Sequence, residues 1–191
     1  MAQVSTTSVG KFYYHFPAIA AIVTSHAEGK DNAMTVAWHA PVSFKPPLYG
    51  VAIAPHRFTL QLILEGKEFG VNFLPFESAE LMASVGGSGG RKTDKFERFH
   101  ISKVEPVKTK VPLLEDAYAC YECKLVNHRP YGDHEWVVGE IVAVHFSPDA
   151  FTAEGVLDIT RLNPAFYLGA ELYITTSQNT RYLDRKVYGQ D

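Results

Sequence analysis

The sequence predicts a mainly β fold, a barrel or sandwich carrying a few short helices. Segments rich in β-branched and aromatic residues recur at short intervals and end at turn formers. Helical signals are few and run for only one to three turns. With 46% hydrophobic and 20% charged residues over 191 positions, the chain has the composition of an ordinary globular domain and enough length to bury a large core. One domain spanning 1–191 is the simplest organisation.

The predicted strands are Ala18–Ser25, Asn32–His39, Leu48–Ala54, Phe69–Leu74, Ala119–Val126 and His134–Phe146. The charged, glycine-containing stretch His26–Asp31 reads as the hairpin turn between the first two. Ile101–Val107 and Glu171–Thr175 are further strand candidates. Helices are expected at Phe58–Leu64, stopped by Gly66, and at Glu77–Val85, with Ser78 near its start and Gly86 and Gly87 at its end. Asp94–Phe99 has room for one or two further turns. There is no internal repeat and no heptad pattern, and Gly86–Gly90 is the one low-complexity stretch. The polar C-terminal stretch Ser177–Asp191 reads as a loose tail or an arm across a partner.

Several function classes lose support at this level. A net charge of −3 argues against a general nucleic-acid binder, which would be basic. The apolar run Ala18–Val23 is far too short to span a bilayer, and only Lys11 precedes it as a positive n-region, so a cytoplasmic location without membrane contact is the default. Cys120 and Cys123 lie three apart in a strand-like context that points them to opposite faces, and no second pair completes a zinc site, so they read as buried small hydrophobes. No nucleophile elbow, HExxH, Walker loop or Rossmann fingerprint occurs, and no metal site is expected.

Four segments hold candidate chemistry. Along Asn32–His39, alternation puts Met34, Val36 and Trp38 on one face and the mostly small Ala33, Thr35, Ala37 and His39 on the other. A flat ring can approach such a backbone closely; the alternative is an ordinary half-buried strand. In Ala54–Thr59, Pro55 ends a strand and His56 to Thr59 open a helix, whose unpaired N–H groups, with the charge of Arg57 and the hydroxyl of Thr59, suit a phosphate. Plain capping with a solvated Arg57 is the alternative. In Gly86–Phe96 the glycines let N–H groups converge on an anion, while Ser88, Arg91, Lys92 and Lys95 supply a hydroxyl and charge; such a segment can equally be a solvated surface loop. In Gly132–Glu140, His134 opens a long strand where it can hold a ligand carboxamide or simply cap a turn with Asp133. Glu140 shares its face unless Gly139 marks a bulge. A flat ring beside a phosphate site makes flavin mononucleotide the leading candidate ligand.

As a set, NAMTVAW (Asn32–Trp38), the run Pro46–Thr59, FGVNF (Phe69–Phe73), SGGRKTDKF (Ser88–Phe96), YECKLVN (Tyr121–Asn127), GDHEWVVGEIV (Gly132–Val142) and NPAFYLGAELY (Asn163–Tyr173) resemble the flavin reductase-like family of FMN-binding split barrels, which includes flavoredoxins and ferric reductases. The resemblance implies a Greek-key split β-barrel that forms a homodimer with FMN at or near the subunit interface. It implies an oxidoreductase passing electrons from NAD(P)H through FMN to a flavin, a ferric complex or a protein acceptor, or alternatively an electron carrier reduced by a protein partner. Carried onto this chain, it places Met34, Thr35, Ala37 and Trp38 along the isoalloxazine and ribityl region, Ala54, Arg57 and Thr59 near the ribityl chain and phosphate, and Asn72 facing the flavin. Ser88, Gly90, Arg91 and Lys95 would close over the phosphate, and His134 would lie near the reactive face. Some ferric reductases carry a cysteine after the first of these strands; this chain has Ala40, Ser43 and Ala52 in that neighbourhood and no cysteine before Cys120, which puts a thiol role beside the ring in doubt.

Overall fold

The computed structural model describes residues 2–180. The tail predicted at Ser177–Asp191 therefore lies largely outside the described residues.

A short strand β1 (Ala18–Ile19) leads into β2 (Ala21–Ala27) and β3 (Lys30–Val36), joined by the expected hairpin, with Glu28 and Gly29 in the left-handed region. Then come β4 (His39–Phe44), β5 (Pro47–Ile53), helix α1 (Phe58–Gly66) and β6 (Glu68–Phe73). A 3-10 turn at Phe76–Ser78 precedes α2 (Ala79–Gly87), and a single turn, α3 (Lys95–Arg98), follows the glycine-rich loop. The chain continues through β7 (Lys103–Val104), β8 (Leu113–Leu114), the long β9 (Ala119–Tyr131) and β10 (His134–Phe146), and ends in β11 (Phe166–Gly169) and β12 (Leu172–Ile174).

Seven strands form one antiparallel sheet in the order β3-β2-β6-β9-β10-β5-β4, and β1-β11-β12 form a smaller sheet. The large sheet curls into a Greek-key split β-barrel. Its two edge strands, β3 and β4, are consecutive in sequence, so the barrel is left unpaired where Ala37 and Trp38 connect them. A core including Val23, Val51, Ile63, Phe69 and Val71 fills the interior. A second cluster, including Ile22, Ala33, Met82, Val85 and Phe96, packs α2 and α3 outside β2 and β3. Both faces of β3 are thus buried, and the small residues predicted for one of them serve partly to admit α2.

Two glycines of the sheet are required by close packing: a Cβ on Gly50 would lie 2.1 Å from the Trp136 indole, and one on Gly139 would lie 2.5 Å from the Phe69 ring. The ladder of β10 shifts register between Val138 and Gly139, at the suspected bulge.

Two local expectations change. Asn32–His39 is not one strand: β3 stops at Val36, a new strand starts at His39, and Trp38 falls in the link. The helix stop near Gly66 is made by Lys67, which takes the left-handed conformation and donates its N–H to the Ile63 carbonyl at 2.8 Å. Gly66 serves a close approach instead, since a Cβ there would lie 2.2 Å from the His26 carbonyl oxygen. As expected, Cys120 and Cys123 are both free and buried, and burial pushes both thiols upward in pKa, Cys120 to about 12, so they are inert packing residues.

Buried polar groups fix other parts of the frame. His39 is held below its ordinary pKa by burial; Nε2 donates to the Ile19 carbonyl at 2.9 Å, which leaves Nδ1 to accept from the Tyr49 hydroxyl at 2.7 Å. Glu122, fully buried, receives the N–H groups of Val107, Lys108 and Thr109, the Thr109 hydroxyl and His145 Nε2. Burial alone would raise its pKa, but these hydrogen bonds bring it down to about 2. Among the described residues no helix is long and apolar enough to cross a membrane.

Candidate functional site

Helix α1 opens straight out of β5. The turn at Pro55 and His56 is closed by Arg57 N–H to the Ala54 carbonyl at 3.0 Å, and Arg57 is the N-cap residue. It makes no side-chain cap, and no acidic residue occupies the first turn. The helix mouth therefore keeps its electropositive character and faces a cavity of about 450 Å³. The other wall is the glycine-rich loop from Gly86 through Ser88, Gly90 and Arg91 to Lys95, with Asn32 and Met34 of β3 as the floor.

Three contacts hold that loop. Ser88 Oγ donates to the Ser84 carbonyl at 2.8 Å at the end of α2. Arg91 Nη1 donates to Gln61 Oε1 at 2.8 Å, and its guanidinium lies 5.3 Å from the Phe58 ring centroid, tying the loop to α1. Asp94 caps α3 by accepting from the Phe96 and Glu97 N–H groups. Gly90 sits against Asn32, where a Cβ would come within 2.1 Å of Oδ1. The Asn32 amide donates to Thr59 Oγ1 at 2.7 Å, while its buried Oδ1 has no partner among the described residues.

Lys95 is the least expected member. Its side chain is only 3% exposed, and the ammonium donates to the carbonyls of Ala33 (2.7 Å) and Val85 (2.8 Å). Burial, with a smaller contribution from the positive charge of Arg57, lowers its pKa to about 8. Buried charges normally have a counter-ion. Here Arg57, Arg91, Lys92 and Lys95 line one cavity with no acidic residue among the described lining residues. The chain as a whole carries more acidic than basic residues, 21 against 18, so this local excess of cations is a property of the site.

A narrower cleft of about 210 Å³ adjoins the basic cavity; Met34, Arg57 and Gly86 line both. Thr35, Ala37 and Trp38 form one side of the cleft, and Ala52 and Ala54 another. Thr35 Oγ1 donates to the Met82 carbonyl at 2.6 Å, so its methyl and backbone remain for a ligand. At the mouth the Trp38 and His134 rings lie 4.9 Å apart, and His134 Nδ1 bonds the exposed Asp133 carboxylate at 2.7 Å. That bond puts the proton on Nδ1 and leaves Nε2 for a ligand; it also holds Asp133 below its ordinary pKa.

Of the residues singled out in the sequence, Met34, Arg57, Thr59, Ser88, Gly90, Arg91 and Lys95 meet at the basic cavity, and Thr35, Ala37, Trp38, Ala54 and His134 meet at the cleft, where Met34 and Arg57 recur. Asn72 is the exception. It is fully buried between strands, donates to the Ile22 carbonyl at 2.9 Å and accepts from Leu114 N–H at 3.0 Å, and lines neither cavity. Its amide is consumed in joining β6 to β2 and β8. Sequence reading missed Asn32, Tyr13, Phe16 and Tyr167 as lining residues. The cluster of aromatics in Lys11–Phe16 was a signal for two of them.

Comparison with known proteins agrees with this architecture. Residues 13–170 match the model of the flavin reductase like domain. An uncharacterised protein of Archaeoglobus fulgidus is 36% identical over 176 residues, covering 91% of this chain and 96% of its own length. The ferric-chelate reductase (NAD(P)H) of the same organism is 32% identical over 130 residues, covering 68% and 76%. The crystal structure of an FMN-binding protein from Thermus thermophilus, solved with bound 1-cyclohex-2-enone, superposes with a TM-score of 0.84 at 31% identity, covering 96% of this chain and 98% of that one. With its split barrel, its basic cavity and a domain match spanning most of its length, the chain belongs to the flavin reductase-like family.

Proposed function

We propose that the chain binds FMN with its phosphate in the basic cavity and its ring in the adjoining cleft, and that it acts as an oxidoreductase. In this reading electrons pass from NAD(P)H through the flavin to a second flavin, a ferric complex or a protein acceptor. The observation that carries it is the buried Lys95 ammonium beside Arg57, which has no anionic partner among the described residues, in a cavity that adjoins a small-walled cleft. A phosphate monoester supplies the missing charge, and the attached ribityl chain and ring follow the path past Met34 and Gly86. The residues fit the group: two of the three ammonium protons are used by carbonyls, leaving one for a phosphate oxygen. The names of the Thermus and Archaeoglobus relatives support the cofactor and the donor.

FMN, when bound, supplies the hydride chemistry. The protein's part is to bind, orient and shield. Arg57, Arg91, Lys95 and the α1 N–H groups would hold the phosphate, and Thr35, Ala37 and Ala54 would let the ring lie against the backbone. Trp38 and His134 frame the mouth through which a nicotinamide enters, and Nε2, the His134 ring nitrogen that Asp133 does not engage, is left to meet its carboxamide. We also propose a homodimer, supported by the exposed Phe44, Val144 and Phe146 on β4 and β10; size-exclusion chromatography with light scattering checks it.

An absorption spectrum of the FMN-loaded protein, recorded before and after adding NADPH or NADH without oxygen, tests the activity. Bleaching of the flavin band is expected. A band that persists with both nucleotides but bleaches with a reduced protein partner would mark an electron carrier instead.

A further inference from the structure

The cleft has a roof that the function above does not use. The N-terminal segment crosses it as coil, and Tyr13 and Phe16 line it directly. Phe12 stacks on Trp38 at 6.1 Å, Tyr13 on Phe16 at 5.1 Å, and Phe16 meets Tyr167 edge-on at 6.0 Å. Gly169, at φ +101°, makes the seat: a Cβ there would lie 2.9 Å from the Tyr13 ring. Among the described residues the backbone of this segment forms two hydrogen bonds, Tyr13 N–H to the Lys11 carbonyl and Phe16 N–H to the Tyr13 carbonyl. Ring contacts, rather than a hydrogen-bonded ladder, thus hold the roof in place, a form of closure that opens at modest cost.

We propose that this aromatic roof narrows the acceptors named above: it retains FMN as a resident group, sets aside a second flavin as the acceptor, and admits only small or single-ring acceptors to the cleft. The proposal rests on FMN occupying the cleft. Its steric basis is the cleft volume of about 210 Å³, below the roughly 300–1,000 Å³ of ordinary small-molecule sites. One flat ring fills such a space, so a second tricyclic ring cannot stack on it inside the cleft while Tyr13 and Phe16 stay seated; the neighbouring cavity of about 450 Å³ lies on the far side of Thr35, Ala37 and Tyr167. A small quinone needs only part of the mouth between Trp38 and His134. In that transfer two electrons and two protons leave the reduced cofactor, which returns to its oxidised form, and the quinone becomes a hydroquinone.

The test compares FMN-loaded wild type with Tyr13→Ala/Phe16→Ala, and with Tyr13→Ala alone in case the double variant folds poorly. The first readout needs no turnover: after dilution, the return of free-flavin fluorescence gives the FMN release rate, expected to rise about tenfold in the variants, the equivalent of one or two lost ring contacts. The second uses protein reduced with dithionite under anaerobic conditions and mixed with p-benzoquinone or lumiflavin. Wild type should be reoxidised rapidly by benzoquinone and slowly by lumiflavin, and the variants should accept both. Equal FMN release from wild type and both variants overturns the roof, as does rapid reoxidation of wild type by lumiflavin. Failure of wild type to take up FMN at all would instead overturn the cofactor reading on which the roof depends.

Discussion

At the scale of single residues, the site turns on Lys95. A buried ammonium near a second cation, with its pKa brought down to about 8 from an ordinary 10.5, costs the free protein stability at pH values below about 8. That cost fades as pH rises toward 10.5, where the unfolded chain also loses the proton. A bound phosphate reverses the preference by stabilising the charged form. FMN affinity should therefore be greatest below about pH 8 and fall as pH rises through it, and calorimetric titrations at pH 7 and pH 9 measure this. Lys95→Met should abolish that dependence and weaken FMN about 10- to 100-fold, the value of one charge-assisted hydrogen bond. Arg57→Glu, which sets a negative charge beside the phosphate, should weaken it at least as much in the same titration. His134→Ala is different: FMN binding should persist while reduction by NAD(P)H slows, and stopped-flow bleaching at matched FMN occupancy reads the change. Sequence alone placed these residues near one another but did not disclose their environments. Lys95 looked like one more charge after a glycine run, and only the fold shows it buried. The family resemblance set Asn72 against the flavin, and the fold spends its amide on the core.

At the scale of elements, the legible parts were those with local causes. Strand β10 is found at the predicted His134–Phe146, because a run of β-branched and aromatic residues starts after a Gly-Asp turn. Helix α1 starts where expected, since Pro55 ends β5 and leaves the next residues to cap. Strand β4 was hidden because Pro41 and the pair Pro46 and Pro47 read as turn; as an edge strand it tolerates a proline. In the C-terminal hairpin the candidate Glu171–Thr175 is found as β12, but its partner β11 went unread, because Ala170 and Glu171 in the turn both take positive φ without being asparagine or glycine. The loop at 107–109 was equally silent, because what orders it is a distant carboxylate, Glu122. Glu122→Gln weakens that cluster and should lower stability by about 2 kcal/mol, the order of a charged hydrogen bond lost in the interior. Because the folded pKa of Glu122 lies near 2, its contribution is present above the ordinary carboxylate range and is lost as pH falls from about 4.5 toward 2. Acid denaturation followed by circular dichroism should show a flatter acid limb in the variant.

At the scale of the whole molecule, a split barrel explains how one chain holds a phosphate and a flat ring side by side. The edges of the sheet are sequence neighbours, so the gap between them is lined by a short link, Ala37 and Trp38, rather than by a paired strand. Helices α1 and α2 bring their opposite ends to the same place, α1 its N-terminus and α2 the loop after its C-terminus. Positive charge then gathers there on a molecule that is acidic overall. The most direct test of this arrangement is a calorimetric comparison of FMN and riboflavin binding to the apo-protein at pH 7. The two ligands share the ring and the ribityl chain and differ in the phosphate alone. If the cations around Lys95 await a phosphate, FMN should bind about 10- to 100-fold more tightly than riboflavin; equal affinities would contradict the account.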